Sequence, residues 1–483
     1  MPRHVSRRDF IVRSAASAGA AVGVVAASAA AHGYYAHQRL RIGFVGTGQR
    51  GQAHVEAVLK LRAAGHNLEA AAVCDVFSKH REQAAGRIRL SGSAPRVSGE
   101  YRELLSDPDL DAILVATPDH WHARVTLDAL AAGKHVYCER PLVHTVDEAG
   151  QLLSAWRETG RVVQVGVQST SDGRWRAARQ FIEQGGIGPV VQAQTEYFRN
   201  SGMGQWRGIG LSRDMTPRNI DWKMFLGTEH GLAPEMPFDR ASFAQWRCYW
   251  PFGHGLYSEL FVPQLTRLQT ALGVDYPRRV LSSGGIFLEQ DGRDVPDTAT
   301  LVADYERGLQ LLATATLVND HKIEQCIRGH HGTIVFDLSR DGFDFLPQRP
   351  QVTRQRDAVR RHVEAPLPAD ETLAHWENFL SAIALDDPRH CHCTPEQGAA
   401  AAVTALLAAE SYRTGRVLEW DAATGRAVES GPEYARQWER RSRELSAPPI
   451  AGNPADPPLG RQRPEAYQKL AGPWPADDAD PAA

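Results

Sequence analysis

Lysine is scarce in this chain: only six of its 54 basic residues are lysines. Positive charge therefore rests almost wholly on arginine, which keeps its proton far above neutral pH and does no acid–base work. Cysteine is also sparse, with six scattered over 483 residues. That excludes the dense disulfide framework of small secreted domains. A formal net charge of -3 excludes the basic stripe of a nucleic-acid binder. Beyond the N-terminal region, no apolar run is long enough to span a bilayer.

What is present begins with an address. Ser6-Arg7-Arg8-Asp9-Phe10-Ile11 pairs two arginines with an apolar step. A small-residue stretch from Ala15 to Ala31 follows, with Ala-x-Ala choices at Ala27-Ser28-Ala29 and Ala29-Ala30-Ala31. This predicts a twin-arginine signal cleaved near Ala31, export by the twin-arginine translocase, and a periplasmic or otherwise extracytoplasmic mature chain. An uncleaved N-terminal anchor is the alternative.

The length favours two domains plus ends. Residues 1–38 read as signal and linker and 39–168 as a domain of alternating strands and helices. Residues 169–420 read as a second domain richer in strands, and 421–483 as a Pro- and Ala-rich tail, extended or partly disordered. In the first domain, Leu40 to Val45, Leu68 to Cys74, Ala112 to Ala116, His135 to Cys138 and Val162 to Val167 read as strands. Helical periods lie between them, which predicts an α/β doubly wound parallel sheet. Strand candidates at Val280 to Leu288, Thr298 to Tyr305, Gln310 to Val318, Ile323 to Arg328 and Gly332 to Asp337 predict an α+β second domain with a large open mixed sheet.

Gly46-Thr47-Gly48-Gln49-Arg50-Gly51 follows the first strand and opens a helix. In that context Gly46 makes the tight turn and Gly48 lets backbone approach a pyrophosphate. Gly51 permits close helix–strand packing, and the helix N-terminus favours phosphate charge. Asp75 ends the second strand, where an acid accepts from a ribose diol and repels a 2′-phosphate. NAD is therefore expected in preference to NADP. The motif predicts a Rossmann dinucleotide-binding domain whose candidate cofactor residues are Gly46, Gly48, Gln49, Arg50, Gly51 and Asp75.

Two further clusters sit at carboxyl ends of strands, where doubly wound sheets bind ligands. They are Ala116-Thr117-Pro118-Asp119-His120-Trp121-His122 and Tyr137-Cys138-Glu139-Arg140-Pro141-Leu142. With Gln164-Val165-Gly166-Val167-Gln168, Ile220-Asp221-Trp222, Trp246-Arg247-Cys248-Tyr249-Trp250 and Gly415 to Trp420, the chain resembles the Gfo/Idh/MocA oxidoreductases from about Arg39 to Trp420. The resemblance adds Thr117, Pro118, His122, Glu139 and Arg140 to the expected cofactor site. It implies NAD(P)-dependent hydride transfer on a sugar, polyol or derivative, by an enzyme that forms a homo-oligomer.

Two positions depart from the family pattern. Family members carry lysine in Glu-Lys-Pro, where this chain has Arg140. Many have an acid followed four residues later by histidine; here Glu259 is followed by Pro263. Proline does no acid–base work and disturbs a helix. The candidate catalytic residues are therefore Arg140 for positioning, Glu259 as a base if burial raises its pKa, His254 as a substitute imidazole, and Tyr257 as a proton donor. For Glu259 the alternative is an ion pair with Arg140; for His254 it is an exposed turn histidine. Trp246, Tyr249, Trp250 and Phe252 could stack on a sugar ring or pack in a core or dimer contact. His390-Cys391-His392-Cys393 and His330-His331 lack the spacing of a four-ligand zinc site, and no metal is expected.

Export sharpens the reading, because a dinucleotide that cannot exchange must be recycled in place. A tightly held cofactor is therefore expected. The alternatives are a redox-assisted glycosidase, lyase or epimerase, or a nucleotide- or sugar-binding protein without catalysis.

Overall fold

The computed structural model describes residues 39–306, 308–350 and 358–444. The twin-arginine segment with Arg7 and Arg8, and the chain beyond Glu444, lie outside the described residues. The described residues fall into two compact units that divide between Val428 and Glu429.

The first unit opens with β1 (Leu40–Val45), α1 (Gln49–Ala63), β2 (Leu68–Cys74), α2 (Ser78–Leu90), β3 (Arg96–Ser98), α3 (Tyr101–Leu105) and β4 (Ala112–Val115). It continues through α4 (Asp119–Ala131), β5 (His135–Glu139), α5 (Val146–Thr159) and β6 (Val163–Gly166). The strands are short apolar runs such as Ala112-Ile113-Leu114-Val115, buried on both faces as parallel strands require. They pair in the order β3-β2-β1-β4-β5-β6, all parallel. Strand order reverses between β1 and β4, and the crevice at that switch point is where such sheets bind ligands.

The three motif glycines have separate structural reasons. Gly46 has φ +82, and a Cβ there would lie 2.6 Å from the Ala116 and Thr117 backbone. A Cβ on Gly51 would lie 2.0 Å from the Gly46 carbonyl oxygen, because α1 starts hard against the turn. Gly48 has ordinary φ -64, and a Cβ there would meet only the His80 ring, at 3.7 Å. Two of the glycines serve packing and one keeps space open.

After α6 (Gly173–Glu183) the chain forms an eleven-stranded mixed sheet. Its centre is β7 (Val190–Asn200), β8 (Arg279–Gly285), β9 (Thr298–Tyr305) and β10 (Leu309–Thr316), with β7 and β10 parallel and the other pairings among these strands antiparallel. Alternate residues of β10 are buried, so one face carries the core and the other is partly exposed. Helices α9 (Val262–Leu272) and α11 (Pro395–Thr414) pack on the covered face, and α11 begins with a capping box from Thr394 and Gln397. Between β7 and α9 lie the short helices α7 (Trp222–Leu226) and α8 (Arg240–Ala244).

Helix α10 (Glu371–Leu385) returns to the first sheet. Its Trp376, Phe379 and Leu380 share a core with Ile42, Phe44 and Tyr137, and Trp376 stacks on Tyr137 with ring centroids 4.5 Å apart. The stretch from Asp421, read as extended tail, departs from that expectation up to Glu444. It forms a strand at Arg426–Glu429 and a helix at Glu433–Glu444, where Arg436 and Arg440 pair with Glu433. Spaced opposite charges support a helix that composition alone hides.

Gly51→Ala is expected to lower unfolding free energy by about 1–3 kcal/mol through overpacking against Gly46. Urea denaturation of the two proteins checks this, and an unchanged midpoint would contradict the packing role.

Candidate functional site

A cavity of about 1040 Å³ runs along the carboxyl edge of the first sheet and is roofed by the second half of the same unit. It is lined by Gly46, Gly48, Gln49, Arg50, Asp75, Thr117, Pro118, His122, Glu139, Arg140 and Glu259 among others. All the expected cofactor residues except Gly51 line it; Gly51 lies beneath the turn instead.

Three observations fit a dinucleotide. Helix α1 starts at Gly48 with no side-chain cap and no acid in its first turn, leaving its N-terminal N–H groups available to a phosphate. The space above Gly48 is open. Thr117 Oγ1, on the cavity wall, is buried without a partner. Asp75 is partly committed: Oδ2 accepts from the Thr47 backbone N–H at 2.7 Å and Oδ1 from the Phe77 N–H at 2.8 Å. Oδ2 also accepts from Thr47 Oγ1 at 3.4 Å, so Oδ1 is the oxygen that retains a lone pair for a ribose hydroxyl. Gly48, Gln49, Arg50 and Thr117 would hold the phosphates and nearby ribose, and Asp75 the other ribose.

Glu139 is a structural hub. Its Oε1 accepts from Arg50 Nε at 2.8 Å, His54 Nε2 at 2.7 Å and Gln168 Nε2 at 2.8 Å. Burial works to raise its pKa, but Arg50 and His54 outweigh it and hold the carboxyl well below the usual range. The tautomer of His54 follows from geometry: the Trp376 indole donates to Nδ1 at 2.9 Å, so Nε2 carries the proton toward Glu139. His122 is likewise a brace. Its Nδ1 lies 2.6 Å from the Pro141 carbonyl and its Nε2 2.8 Å from that of Thr117. It joins the two motif loops and keeps no nitrogen for a substrate.

At the other end of the cavity Arg140 and Glu259 meet, with Nη1 to Oε2 at 3.4 Å. Sequence reasoning missed a third member, Arg247, whose Nε is 2.9 Å from the same Oε2. Its guanidinium sits 4.1 Å above the Trp246 ring. The signal was available, since Arg247 lies inside a motif already singled out, in a chain that does its charged work with arginine. Of the four aromatics considered for sugar stacking, Trp246 lines the cavity. Phe252 is in the core beside Phe225, and Trp250 lies near Tyr257 and Tyr412.

The expectation that burial raises Glu259 is corrected. Burial pushes in that direction, but Arg247 and then Arg140 outweigh it, and the carboxyl is held below its ordinary value. His254 and Tyr257 are also corrected as proton carriers, because neither is among the cavity-lining residues. The His254 ring packs 4.5 Å from that of His144, and burial lowers its pKa to about 4. Tyr257 is fully buried with its hydroxyl 2.9 Å from Ser282 Oγ, and burial raises its pKa. Pro263 does not break the helix. It sits in the first turn of α9, directly after a π-helical turn at Tyr257–Phe261. The wider turn shifts the carbonyl of Glu259 away from the partner that proline lacks.

The carboxyl that burial does raise is Asp119, at the start of α4. It is fully buried, and neither oxygen has a hydrogen-bond partner of ordinary geometry. Burial, then the Glu259 charge, pushes its pKa well up; Arg247, Ser258 and Arg140 oppose without prevailing. Asp119 and Glu259 are therefore two carboxyls of one wall whose pKa values are driven apart, Asp119 upward and Glu259 downward.

The cluster His390-Cys391-His392-Cys393 does not converge. Cys391 and Cys393 are buried in different cores, and His392 Nδ1 lies 2.9 Å from Ser171 Oγ. Among the described residues, no group of three potential ligands could hold a metal.

Asp119 sets a pH test. Its folded pKa lies above the unfolded value of about 3.9. Between the two, the unfolded chain loses a proton that the fold retains, so stability falls by about 1.4 kcal/mol per pH unit through that window. Asp119→Asn removes this slope. Melting temperatures of the two proteins should converge at acid pH and separate with rising pH, the variant being the more stable; a constant offset would refute a retained proton.

Comparisons with known proteins follow the same geometry. The chain is 29% identical over 205 residues to the uncharacterized oxidoreductase YrbE of Bacillus subtilis, covering 42% of this chain and 52% of that protein. It is 28% identical over 209 residues to glycosyl hydrolase family 109 protein 1 of Shewanella sp. ANA-3, covering 40% and 43%. It thus spans about half the length of the curated relatives it matches. A levoglucosan dehydrogenase solved with NADH and levoglucosan superposes with a TM-score of 0.54 at 19% identity, covering 81% of this chain and 99% of that one, a likeness of fold. Residues 40–167 match the Gfo/Idh/MocA family, an oxidoreductase family with an NAD-binding Rossmann fold.

Proposed function

We propose that the chain is an NAD-dependent oxidoreductase of the Gfo/Idh/MocA type acting on a hydroxyl of a sugar, polyol or derivative, with the dinucleotide tightly held. The observation that carries this reading is one continuous cavity, from the open space over Gly48 to the Arg140–Glu259–Arg247 cluster. A bound nicotinamide supplies the hydride acceptor. The protein must take the hydroxyl proton and orient the sugar. Glu259 is the acid at that wall whose carboxyl Arg247 and Arg140 hold below its ordinary pKa, toward the charged form, and it is the proton acceptor in this reading. Arg140 and Arg247 orient, since neither gives up a proton near neutral pH. Trp246 offers an aromatic surface to a sugar ring.

The family 109 glycosyl hydrolase likeness favours one second reading, a glycosidase, lyase or epimerase that uses the same cavity without net consumption of dinucleotide. Release of the aglycone from an aryl glycoside at constant total NAD distinguishes it.

Mass spectrometry of the native protein is expected to find a co-purified dinucleotide, NAD in preference to NADP because of Asp75. Gly48→Val should keep the fold by circular dichroism and lose that dinucleotide, since its side chain fills the open space. Retention in a folded variant would refute the site.

We further propose that Ser6-Arg7-Arg8-Asp9-Phe10 directs export by the twin-arginine route, supported by the paired arginines and the small-residue stretch behind them. Changing Arg7 and Arg8 to lysine should leave precursor in the cytoplasm on fractionation, and undiminished periplasmic protein would reject it.

A further inference from the structure

The substrate end of the cavity brings two guanidiniums onto one carboxylate. Arg140 arrives from the end of β5 and Arg247 from the turn Trp246–Cys248. Their side chains are 27% and 24% exposed. A guanidinium holds five N–H donors in a planar fork. Each of these two makes one ion-pair contact, and both contacts fall on a single oxygen, Glu259 Oε2.

The other acids lining the cavity are committed or pushed toward the neutral form. Asp75 is held by Thr47 and Phe77, and Glu139 by Arg50, His54 and Gln168. At Asp119, burial and the Glu259 charge push the pKa up, away from the charged form. Arg199, from the end of β7, adds another guanidinium to the lining. Two forks with most of their donors unused, sharing one carboxylate oxygen in a partly dry site, match a planar oxyanion.

We infer that the carbohydrate substrate is a sugar acid whose carboxylate binds the free edges of Arg140 and Arg247. This rests on the oxidoreductase reading and names its substrate class. It also resolves a conflict within the site. While both guanidiniums pull on Oε2, Glu259 is a weak base. A substrate carboxylate drawing on the same forks weakens that pull and raises the proton affinity of Glu259 as the reacting hydroxyl arrives. A bound nicotinamide would take the hydride from the hydroxyl-bearing carbon and so be the oxidant, while Glu259 would take the hydroxyl proton as the carbon–oxygen bond becomes a carbonyl; the substrate carboxylate would be unchanged.

The test is calorimetric titration of the NADH-loaded protein with glucuronate, galacturonate and mannuronate, each against its neutral parent sugar. At least one acid should bind more tightly than its parent by about 10- to 100-fold, the range for charge-assisted hydrogen bonds. Arg247→Gln should weaken binding of the acid far more than that of its neutral parent and so abolish the preference, and Arg247→Lys should restore part of it. If Arg247→Gln does not fold, Arg140→Gln takes its place. Failure of every acid to bind, equal binding of acid and parent, or a preference that survives the glutamine variant overturns the inference. Turnover with the NAD-loaded protein separates the two readings. A bound acid that is not oxidised leaves the sugar-acid site standing and sinks the oxidoreductase reading, whereas oxidation of neutral sugars alone does the reverse.

Discussion

An ionised carboxyl taken out of water must find partners, and Glu139 finds three of them in two separate parts of the chain. Arg50 and His54 come from the first turns of α1, and Gln168 from the turn after β6. Trp376, 322 residues along from His54, fixes the proton of that histidine. Even Gly166 belongs to the arrangement, because a Cβ there would lie 2.9 Å from the Glu139 carboxyl. The loop that faces the dinucleotide phosphates is thus held from below by a charge network whose outer member stands on α10. The core of the first sheet is completed by a helix that follows most strands of the second in sequence.

The parts of this architecture that could be read in the sequence are those with local causes. Short apolar runs alternating with helical periods gave the parallel sheet, and Gly46, Gly48 and Gly51 gave the turn, because a glycine requirement is a backbone property. What escaped depends on contacts between distant residues. Strands β3, Phe343–Pro347 and Arg361–Val363 are short and pair at sheet edges, so no periodicity announces them. Glu139 stood in the right motif but is a buried anchor, and His122 is a brace between two loops. His254 and Tyr257 carry suitable chemistry and point elsewhere. No spacing rule reveals which face of an irregular segment meets a cavity.

The scarcity of lysine connects these findings. A lysine at position 140 could be tuned by burial into an acid–base group; an arginine cannot, so it leaves a permanent charge at the substrate wall. Arg247 adds a second, and together they hold Glu259 ionised. That same field drives the neighbouring acids apart. Glu259 is held below its ordinary pKa by Arg247 and Arg140, whereas at Asp119 burial and the Glu259 charge outweigh the same two guanidiniums and push the pKa up.

The consequence for chemistry lies in how the charges are shared. A site with one acid and one cation is balanced and has little reason to select an ionic ligand. Here two guanidiniums converge on one carboxylate oxygen, and each retains an unused edge. The pair is satisfied enough to be stable when the cavity holds no substrate and unsatisfied enough to reward an incoming anion. On the function proposed above, the oxygen they hold belongs to the proton acceptor, so whatever competes for the arginines would also set the strength of the base. Substrate selection and proton transfer would then be coupled through a single atom, Glu259 Oε2, and a substitution at either arginine would disturb both.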